Sequence, residues 1–163
     1  MVEIKLTKNK IAIVDDKYFE YINSFNWYYD KGYAWRNGKK TGSSRYGYNT
    51  RESAISMHRF LMRLSDKNKC VDHINRNGLD NRLCNLRICS KKENTWNKGI
   101  NKNNTSGYKG VYWQKEKNKW HARITKDGKV TFLGLFENKD VAAKEYNKAA
   151  KKYFGKFASL NVF

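Results

Sequence analysis

Apolar and polar residues alternate at the start of the chain, and this two-residue period is typical of β-strands. Residues 3–14 (EIKLTKNKIAIV) also carry several β-branched side chains, so they predict a hairpin that turns near residues 8–10. The spacing then becomes helical, with apolar side chains at positions 18, 19, 22 and 25. Asp15 or Asp16 stands directly before that run and is predicted to cap the helix.

More strands and a second helix are predicted before residue 65. The segments on both sides of Lys31-Gly32 have strand-like patterns, and this dipeptide suits a tight turn. Asn37-Gly38 is predicted to form a second turn. Residues 53–64 (SAISMHRFLMRL) repeat their apolar side chains at helical spacing, which predicts a helix. The residues expected on its buried side are Ile55, Phe60, Leu61 and Leu64.

The composition changes sharply in the segment NKGINKNNTSG, which has one apolar residue in eleven. We therefore expect a domain at 1–98, a linker at 99–106 and a second domain at 107–163. In the second domain, three strand-like segments, with a turn at Asp127-Gly128, precede a helical stretch over 138–154. The expected fold class is α+β, with a C-terminal three-stranded antiparallel sheet packed on one helix.

The charge balance favours a polyanionic partner. The chain has 34 Lys and Arg against 15 Asp and Glu, for a net charge of +19, and both halves share the excess. Such a surface repels itself, and nucleic acid relieves the repulsion through counterion release. An anionic membrane surface is the alternative partner. No apolar run is long enough to span a bilayer and no secretion signal is apparent, so we expect a cytoplasmic DNA-binding protein without membrane association.

The three cysteines, Cys70, Cys84 and Cys89, suit a reducing compartment better than a disulfide framework. Zinc ligation is a second interpretation, but the sequence has no Cys-x-x-Cys pair and no obvious fourth ligand. Buried thiols are the favoured interpretation, because a free cysteine behaves as a small apolar residue.

The segment VDHINRNGLDNRLCNLRICSKKEN combines residue types that catalysis uses. Its pattern predicts a strand (CVDHI), a broad loop over 75–85, a returning strand (LRICS) and a helix (KKENTWNK). Ser90 and Glu93 have the spacing of a capping box, which fixes the start of that helix.

Three side chains of this segment are candidates for the hydrolysis of a phosphodiester. Asp72 and Asn94 offer oxygen ligands of the kind that Mg²⁺ accepts while it keeps most of its waters. His73 is a base whose ordinary pKa lies near 6.5, so it can take a proton from water at neutral pH. Adjacent residues of a strand point to opposite faces, so Asp72 and His73 share a site only if the strand ends or twists there.

Each of these residues also has a purely structural interpretation. An Asp-His pair is often an ordinary surface feature, and asparagines commonly form turns. His58, in the sequence MHRF, either supports the site, contacts DNA or packs as an ordinary helix residue, and the last is favoured. The residues interpreted as turn formers are Asn75, Asn77, Asp80 and Asn81.

The sequence DHINRNGLDNRLCNLRICSKKEN resembles the His-Asn-His (HNH) endonucleases. The resemblance implies a ββα-metal motif over about 70–98, with His73 as general base and Asp72 and Asn94 as ligands of one Mg²⁺ or Mn²⁺. It implies that Asn85 braces the hairpin loop through hydrogen bonds and takes no part in the chemistry. Asn94 replaces the third histidine of many members, as in phage homing nickases.

Residues 107–163 are similar to the Apetala-type, ethylene-response-factor DNA-binding domain of plants. The shared features are Y-K-G-V, K-W-x-A-x-I, F-L-G-x-F, an AA-x-x-Y-x-x-AA helix and the closing G-x-x-A-x-L-N. The resemblance implies a sheet that enters the major groove of double-stranded DNA. Strand alternation assigns the outer face and nearby basic residues to DNA binding. These residues are Tyr112, Gln114, Lys115, Lys117, His121, Arg123, Thr125, Lys126 and Phe132.

The other face of that sheet is expected to pack on the helix. Tyr112, Gln114 and Thr125 replace guanine-reading arginines of the plant family, so the plant target sequence is not expected. A solvated polar face is the alternative interpretation of the outer residues, and the linker either follows a minor groove or acts as a flexible tether. The residues expected on the helix side are Val111, Trp113, Ala122, Ile124, Leu133 and Phe136.

The two resemblances together imply a metal-dependent DNA endonuclease of a phage or mobile element, acting in the cytoplasm of the host cell. They imply 3′-hydroxyl and 5′-phosphate ends, and a single site per chain favours a monomer that nicks one strand. A non-catalytic, sequence-specific DNA-binding regulator with a relic nuclease fold is the alternative. An RNA-cutting or colicin-like nuclease is a third possibility, which the sheet reader and the lack of a secretion segment disfavour.

Overall fold

The computed structural model places most of the chain in two units. The described residues are 1–38, 40–43, 49–51 and 54–163. The first unit is Met1–Lys91 and the second is Lys92–Phe163, each with its own sheets and apolar core. No helix among the described residues is both long and apolar enough to cross a membrane.

The first unit opens with the predicted hairpin. Strand β1 (Val2–Lys5) pairs antiparallel with β2 (Ile11–Val14), and a 3₁₀ turn over Thr7–Asn9 connects them. Lys8 and Asn9 adopt positive φ angles of 59° and 52°, which reverse the chain where the sequence predicts. The hairpin and the position of its turn are therefore confirmed.

The helix predicted after Asp15 is a single turn. A 3₁₀ turn over Asp16–Tyr18 leads into α1 (Phe19–Asn23). The predicted cap is wrong, because Asp15 makes no capping bond there. Its Oδ2 instead accepts a bond of 2.8 Å from the backbone N–H of Leu83, which fastens the start of the chain to the Asn-rich loop.

The turn at Lys31-Gly32 is confirmed. Strands β3 (Tyr28–Asp30) and β4 (Tyr33–Arg36) pair around it, and both turn residues have positive φ angles. Asn37-Gly38 closes no hairpin, because the strands on either side of it, β4 and β5, belong to different sheets. In the second of these sheets, β5 (Lys40–Ser43) pairs with β6 (Asn49–Arg51).

The helix predicted over 53–64 is shorter than the pattern suggests. Residue 53 lies outside the described residues, and Ile55–Ser56 form strand β7, which pairs with the end of β4. Helix α2 covers Met57–Leu61. Met57 is fully buried, whereas the four residues predicted for the buried side are only half-buried. Pairing with β4 therefore overrides the helical pattern at the start of this segment.

One apolar core joins the hairpin, α1 and α2. Its fully buried members include Val14, Ile22 and Met57. The indole N–H of Trp27 donates to the carbonyl of Ile22 at 2.8 Å, so the polar atom of this buried ring has a partner.

Two strands and a helix occupy the segment with the candidate chemistry, as predicted. Strand β8 (Lys69–His73) pairs antiparallel with β9 (Leu86–Ser90), and α3 (Lys91–Trp96) begins directly after β9. Asp72 stands opposite Arg87 in this pairing. The boundary between the two units falls after the first residue of α3.

The second unit is a three-stranded antiparallel sheet with one long helix, as predicted. Positive φ angles at Asp127-Gly128 form the turn between its second and third strands. Asn138 caps the helix, since its side chain accepts from the N–H groups of Asp140 and Val141. Fully buried Ala142, Ala143 and Ala150 let the helix lie close to the sheet. The elements are β10 (Val111–Gln114), β11 (Lys119–Lys126), β12 (Lys129–Phe136) and α4 (Lys139–Phe154).

Trp113 is less buried than its predicted position on the helix side of this sheet suggests. Its side chain is 40% exposed, and its ring meets that of Trp120, its partner on β11, at 5.1 Å. Val111, Ala122 and Ile124 are buried as predicted. Strand alternation assigns a residue to a face of the sheet, but it does not say how far along the strand the helix covers that face.

Residues 99–106, predicted as a linker, belong to the second unit by their contacts. Asn104 accepts from the N–H of Gly107 at 2.7 Å and donates to the carbonyl of Tyr108 at 2.9 Å. The hydroxyl of Ser106 donates to the carbonyl of Val111 at 2.7 Å. These bonds tie the end of the segment to the start of β10.

Candidate active site and nucleic-acid interface

Asp72 and His73 are the last two residues of β8, and each is 5% exposed. The strand therefore ends at these two residues, which is a condition for neighbouring strand residues to share one site. The two side chains meet different groups, as successive strand positions dictate. Asp72 contacts Arg87 on the neighbouring strand β9, whereas His73 contacts the loop and the rings of residues on β4 and α2.

The carboxylate of Asp72 binds the guanidinium of Arg87. The Nε of Arg87 donates to Oδ2 at 2.8 Å, and a terminal nitrogen of the same group also contacts this oxygen. Both side chains are largely buried, at 6% and 13% exposure. Arg87 is not among the residues predicted for the site, although the predicted pairing of CVDHI with LRICS places it opposite Asp72.

His73 has a side-chain partner in Asn81. The Nε2 of His73 lies 3.3 Å from Oδ1 of Asn81, which is only 1% exposed. Burial lowers the pKa of His73 below 6.5, although the bond to Asn81 and the charges of Asp72 and Asp80 act in the opposite direction. The imidazole is therefore neutral at pH 7, which is the form that accepts a proton.

Two further rings surround His73. The ring of His58 lies 5.1 Å away and that of Tyr33 lies 5.8 Å away, and these two rings also contact each other. The Nε2 of His58 lies 3.0 Å from the hydroxyl of Ser56, while its buried Nδ1 has no hydrogen-bond partner among the described residues. A side chain at Gly78 would overlap the ring of Tyr33, so the loop packs tightly against this cluster.

Asn85 joins the two ends of the loop between β8 and β9. Its Oδ1 accepts from the backbone N–H of Asn75, and its Nδ2 donates to Oδ1 of Asn75, both at 2.9 Å. The same Nδ2 donates to the carbonyl of Asp80 at 2.8 Å. Two nitrogens of the Arg82 guanidinium donate to the carboxylate of Asp80, at 2.7 and 2.6 Å. These bonds lower the pKa of Asp80. These side chains close the loop together with a backbone bond, in which the N–H of Ile74 donates to the carbonyl of Asn85 at 2.9 Å.

Asn94 lies on α3, in the part of that helix that belongs to the second unit, and its side chain is exposed. Among the described residues, no group of three His, Cys, Asp or Glu side chains could hold a metal ion. Such a group is not needed for Mg²⁺, which binds through one or two oxygen ligands of the protein and keeps several waters. The carboxylate of Asp72 and the amide oxygen of Asn94 have the donor chemistry that this ion prefers.

None of the three cysteines forms a disulfide bond. Cys89 is buried, Cys70 is half-buried and Cys84 is exposed, so the prediction of buried thiols holds fully only for Cys89. The Sγ of Cys89 contacts the carbonyl of Cys70, its partner across the β8–β9 pair, at 3.7 Å.

The outer face of the C-terminal sheet carries a row of rings. Tyr112 stacks on His121 at 4.5 Å, and His121 meets Phe132 at 4.9 Å. The guanidinium of Arg123 lies over the ring of Tyr112 at 5.0 Å. Phe132 is 58% exposed, and burial together with Arg123 and Lys117 lowers the pKa of His121. We name Tyr112, His121, Arg123 and Phe132 the aromatic face.

The remaining residues predicted to bind DNA differ in their exposure and direction. Lys115 and Lys117 lie on an exposed 3₁₀ turn between β10 and β11, and Thr125 is exposed on β11. Gln114 is half-buried at the end of β10. Lys126 points to the helix side, because its ammonium group donates to the carbonyl of Tyr153 at 3.2 Å.

Several known proteins are similar to this chain in amino-acid sequence. The model of the HNH endonuclease family matches residues 63–95, which include Asp72, His73, Asn85 and Asn94. The uncharacterized HNH endonuclease L560 of Acanthamoeba polyphaga mimivirus is 30% identical over 148 residues, which cover 88% of this chain and 74% of that protein. The chain belongs to the HNH endonuclease family. Protein 3.8 of Escherichia phage T7 is 39% identical to this HNH protein over 88 residues, 54% of this chain and 72% of the phage protein.

A partial similarity links this HNH protein to plant transcription factors. AP2-like ethylene-responsive transcription factor At1g16060 of Arabidopsis thaliana is 35% identical over 65 residues, 39% of this chain and 18% of that protein. Transcription factor At1g79700 of the same plant is 34% identical over 65 residues, 39% of this chain and 21% of that protein. Together with the HNH match, these similarities point to DNA binding.

Proposed function

We propose that this HNH protein is a metal-dependent DNA endonuclease in which His73 activates the attacking water. The observation that carries the proposal is a buried imidazole that directly follows a buried carboxylate at the end of a strand, with burial lowering the pKa of the imidazole. HNH endonucleases generally use divalent metal ions. In this proposal, the hairpin and α3 form a ββα-metal site over about 70–98, in which Asp72 and Asn94 hold one Mg²⁺ or Mn²⁺.

Each residue has a defined role in the proposed hydrolysis. His73 takes the proton of a water whose oxygen bonds to phosphorus, and the bond from phosphorus to the 3′-oxygen breaks. The leaving 3′-oxygen takes a proton from a solvent water, so the products are a 3′-hydroxyl and a 5′-phosphate. Arg87 holds the carboxylate of Asp72 in one orientation, and Asn85 keeps the loop closed. Asp72 and Asn94 would hold a divalent ion, which would supply positive charge to stabilise the phosphoryl oxygens and the leaving oxygen.

The second unit is proposed to read double-stranded DNA with the outer face of its sheet. Positive charge for contacts to phosphates is supplied beside the rings by Arg123, Lys115 and Lys117. The exposed ring of Phe132 offers an apolar contact for a base edge. A monomer with one nuclease site and one reader nicks one strand at a specific sequence. A site-specific nickase or homing endonuclease of a phage or mobile element has this organisation.

Plasmid cleavage by the full chain tests the proposal. Wild type is expected to convert supercoiled plasmid to nicked circles with Mg²⁺ or Mn²⁺ and to leave it intact with excess EDTA. His73→Ala and Asp72→Asn should bind DNA without cutting it, whereas Asn68→Ala, at an exposed position of the same unit, should cut normally. A wild-type protein that binds DNA but cuts with no divalent ion would favour the DNA-binding regulator. Linear product at low conversion would contradict nicking of a single strand.

A further inference from the structure

We propose that Asn81 is a positioning residue that holds the proton of His73 on Nε2, so that Nδ1 carries the lone pair that accepts a proton. The role of that lone pair rests on the proposed function, but the position of the proton does not. The sequence alone marks Asn81 as a turn former, and no part of the hydrolysis described above uses it.

The hydrogen bonds of Asn81 decide the direction of the contact. Its Nδ2 donates to the carbonyl of Leu79 at 3.3 Å, which orients the amide and turns Oδ1 toward His73. An amide oxygen carries no hydrogen and only accepts. The Nε2 of His73, 3.3 Å away, must therefore supply the hydrogen of this bond. A neutral imidazole has a single ring hydrogen, so its other nitrogen is the acceptor.

Asn81 is itself held by backbone that lies outside the segment matched by the HNH family. Its N–H donates to the carbonyl of Ile13 at 2.7 Å, and the N–H of Ile13 donates to the carbonyl of Leu79 at 2.8 Å. Asn81 is 1% exposed, so water cannot readily replace its partners. The N-terminal hairpin therefore holds the backbone of Leu79 and Asn81 in place. The side-chain amide of Asn81 in turn orients the imidazole of His73.

The neighbouring rings limit the other orientations of His73. His58 packs against it edge to face, at an interplanar angle of 85°, and Tyr33 covers it at 44°. Rotation of the imidazole by half a turn would point a carbon of the ring at Oδ1 of Asn81 and leave that buried oxygen without this bond. Leaving a buried acceptor unsatisfied is unfavourable, which favours the observed orientation.

The position of the proton is measured directly by ¹H–¹⁵N NMR of the imidazole groups in the full, ¹⁵N-labelled chain at neutral pH with EDTA. In wild type we expect His73 to show a protonated Nε2 and an unprotonated Nδ1. A proton on Nδ1, or an even mixture, would overturn the proposal, and this result needs neither a variant nor cleavage activity. Failure of wild type to cut DNA would instead count against the nuclease proposal alone.

Two substitutions at Asn81 distinguish a role in positioning the proton of His73 from a role in packing alone. Asn81→Leu keeps the size of the side chain and removes the acceptor, whereas Asn81→Asp keeps an oxygen acceptor. The Leu variant should populate both tautomers and lower the single-turnover cleavage rate by about tenfold or more, with KM little changed. The Asp variant should restore the Nε2 proton, and Asn68→Leu, the same change at an exposed position, should match wild type. A Leu variant that keeps the wild-type tautomer would overturn the role of Asn81.

Discussion

The imidazole rings of His58 and His73 stand nearly perpendicular to each other, with their centroids 5.1 Å apart. Burial lowers the pKa of both rings, and the pKa of His58 falls to about 3, since His73 and Arg59 also oppose a positive charge there. Two protonated rings at this distance would repel each other without water to screen them. The site therefore contains a pair of neutral imidazoles at pH 7.

The protein should lose stability in mild acid through His58. The unfolded chain binds a proton at this residue below about pH 6.5, whereas the folded chain does not until about pH 3, so the free energy of unfolding falls as the pH drops. His58→Phe keeps a ring and removes this proton uptake. Urea unfolding at pH 7 and pH 5 should show that wild type loses about 1–2 kcal/mol more than the variant. Asn68→Ala, which removes no ionisable group, should lose as much as wild type; equal losses in all three would contradict the prediction.

Arg87→Met should destabilise the protein by about 3 kcal/mol, because it leaves the buried carboxylate of Asp72 without its guanidinium. Asp72→Asn should rescue part of this loss, since the remaining side chain is then uncharged. Chemical denaturation of wild type, both single variants and the double variant gives the coupling free energy between the two residues. Strictly additive losses would show that the pair contributes no coupling.

Asn85→Ala should open the loop between β8 and β9. Three hydrogen bonds are lost, including the one in which the backbone N–H of Asn75 finds its acceptor, so we expect the free energy of unfolding to fall by about 2–3 kcal/mol. Hydrogen exchange should become faster at Asn75 than in wild type. Asn77→Ala is the matched control in the same loop. The exposed side chain of Asn77 accepts one bond, from the N–H of Leu79, so its removal should lower the free energy of unfolding by less than about 1 kcal/mol. Equal losses for the two variants would argue against a bracing role for Asn85.

Phe132→Ala should weaken DNA binding without weakening the fold. Its ring is 58% exposed, so truncation opens no cavity, while the loss of apolar contact with a base edge should raise Kd about tenfold. Val141→Ala is the control, an exposed apolar residue on α4 that lies outside the aromatic face. Fluorescence anisotropy with labelled duplex DNA at fixed salt measures both. Unchanged affinity for Phe132→Ala would remove the aromatic face from the proposed interface.

Most elements of the fold were predictable from sequence because their signals are local. The hairpins at Lys31-Gly32 and Asp127-Gly128, the strands β8 and β9 and helix α4 all follow from periodicity and turn residues. The errors come from long-range pairing. Residues 55 and 56 have a helical pattern but pair with β4, because a free strand edge competes with the helix for the same backbone groups.

The sequence by itself determined the family, through the residue types and spacing around His73, and the positive charge that suits DNA. Only the tertiary structure decided what surrounds that histidine. Asn81, Tyr33 and His58 come from separate parts of the chain, and no periodic pattern marks them as neighbours. Spacing along a chain records which groups are available, but hydrogen-bond direction and burial depend on packing between distant segments, and these set the proton position and the pKa of His73.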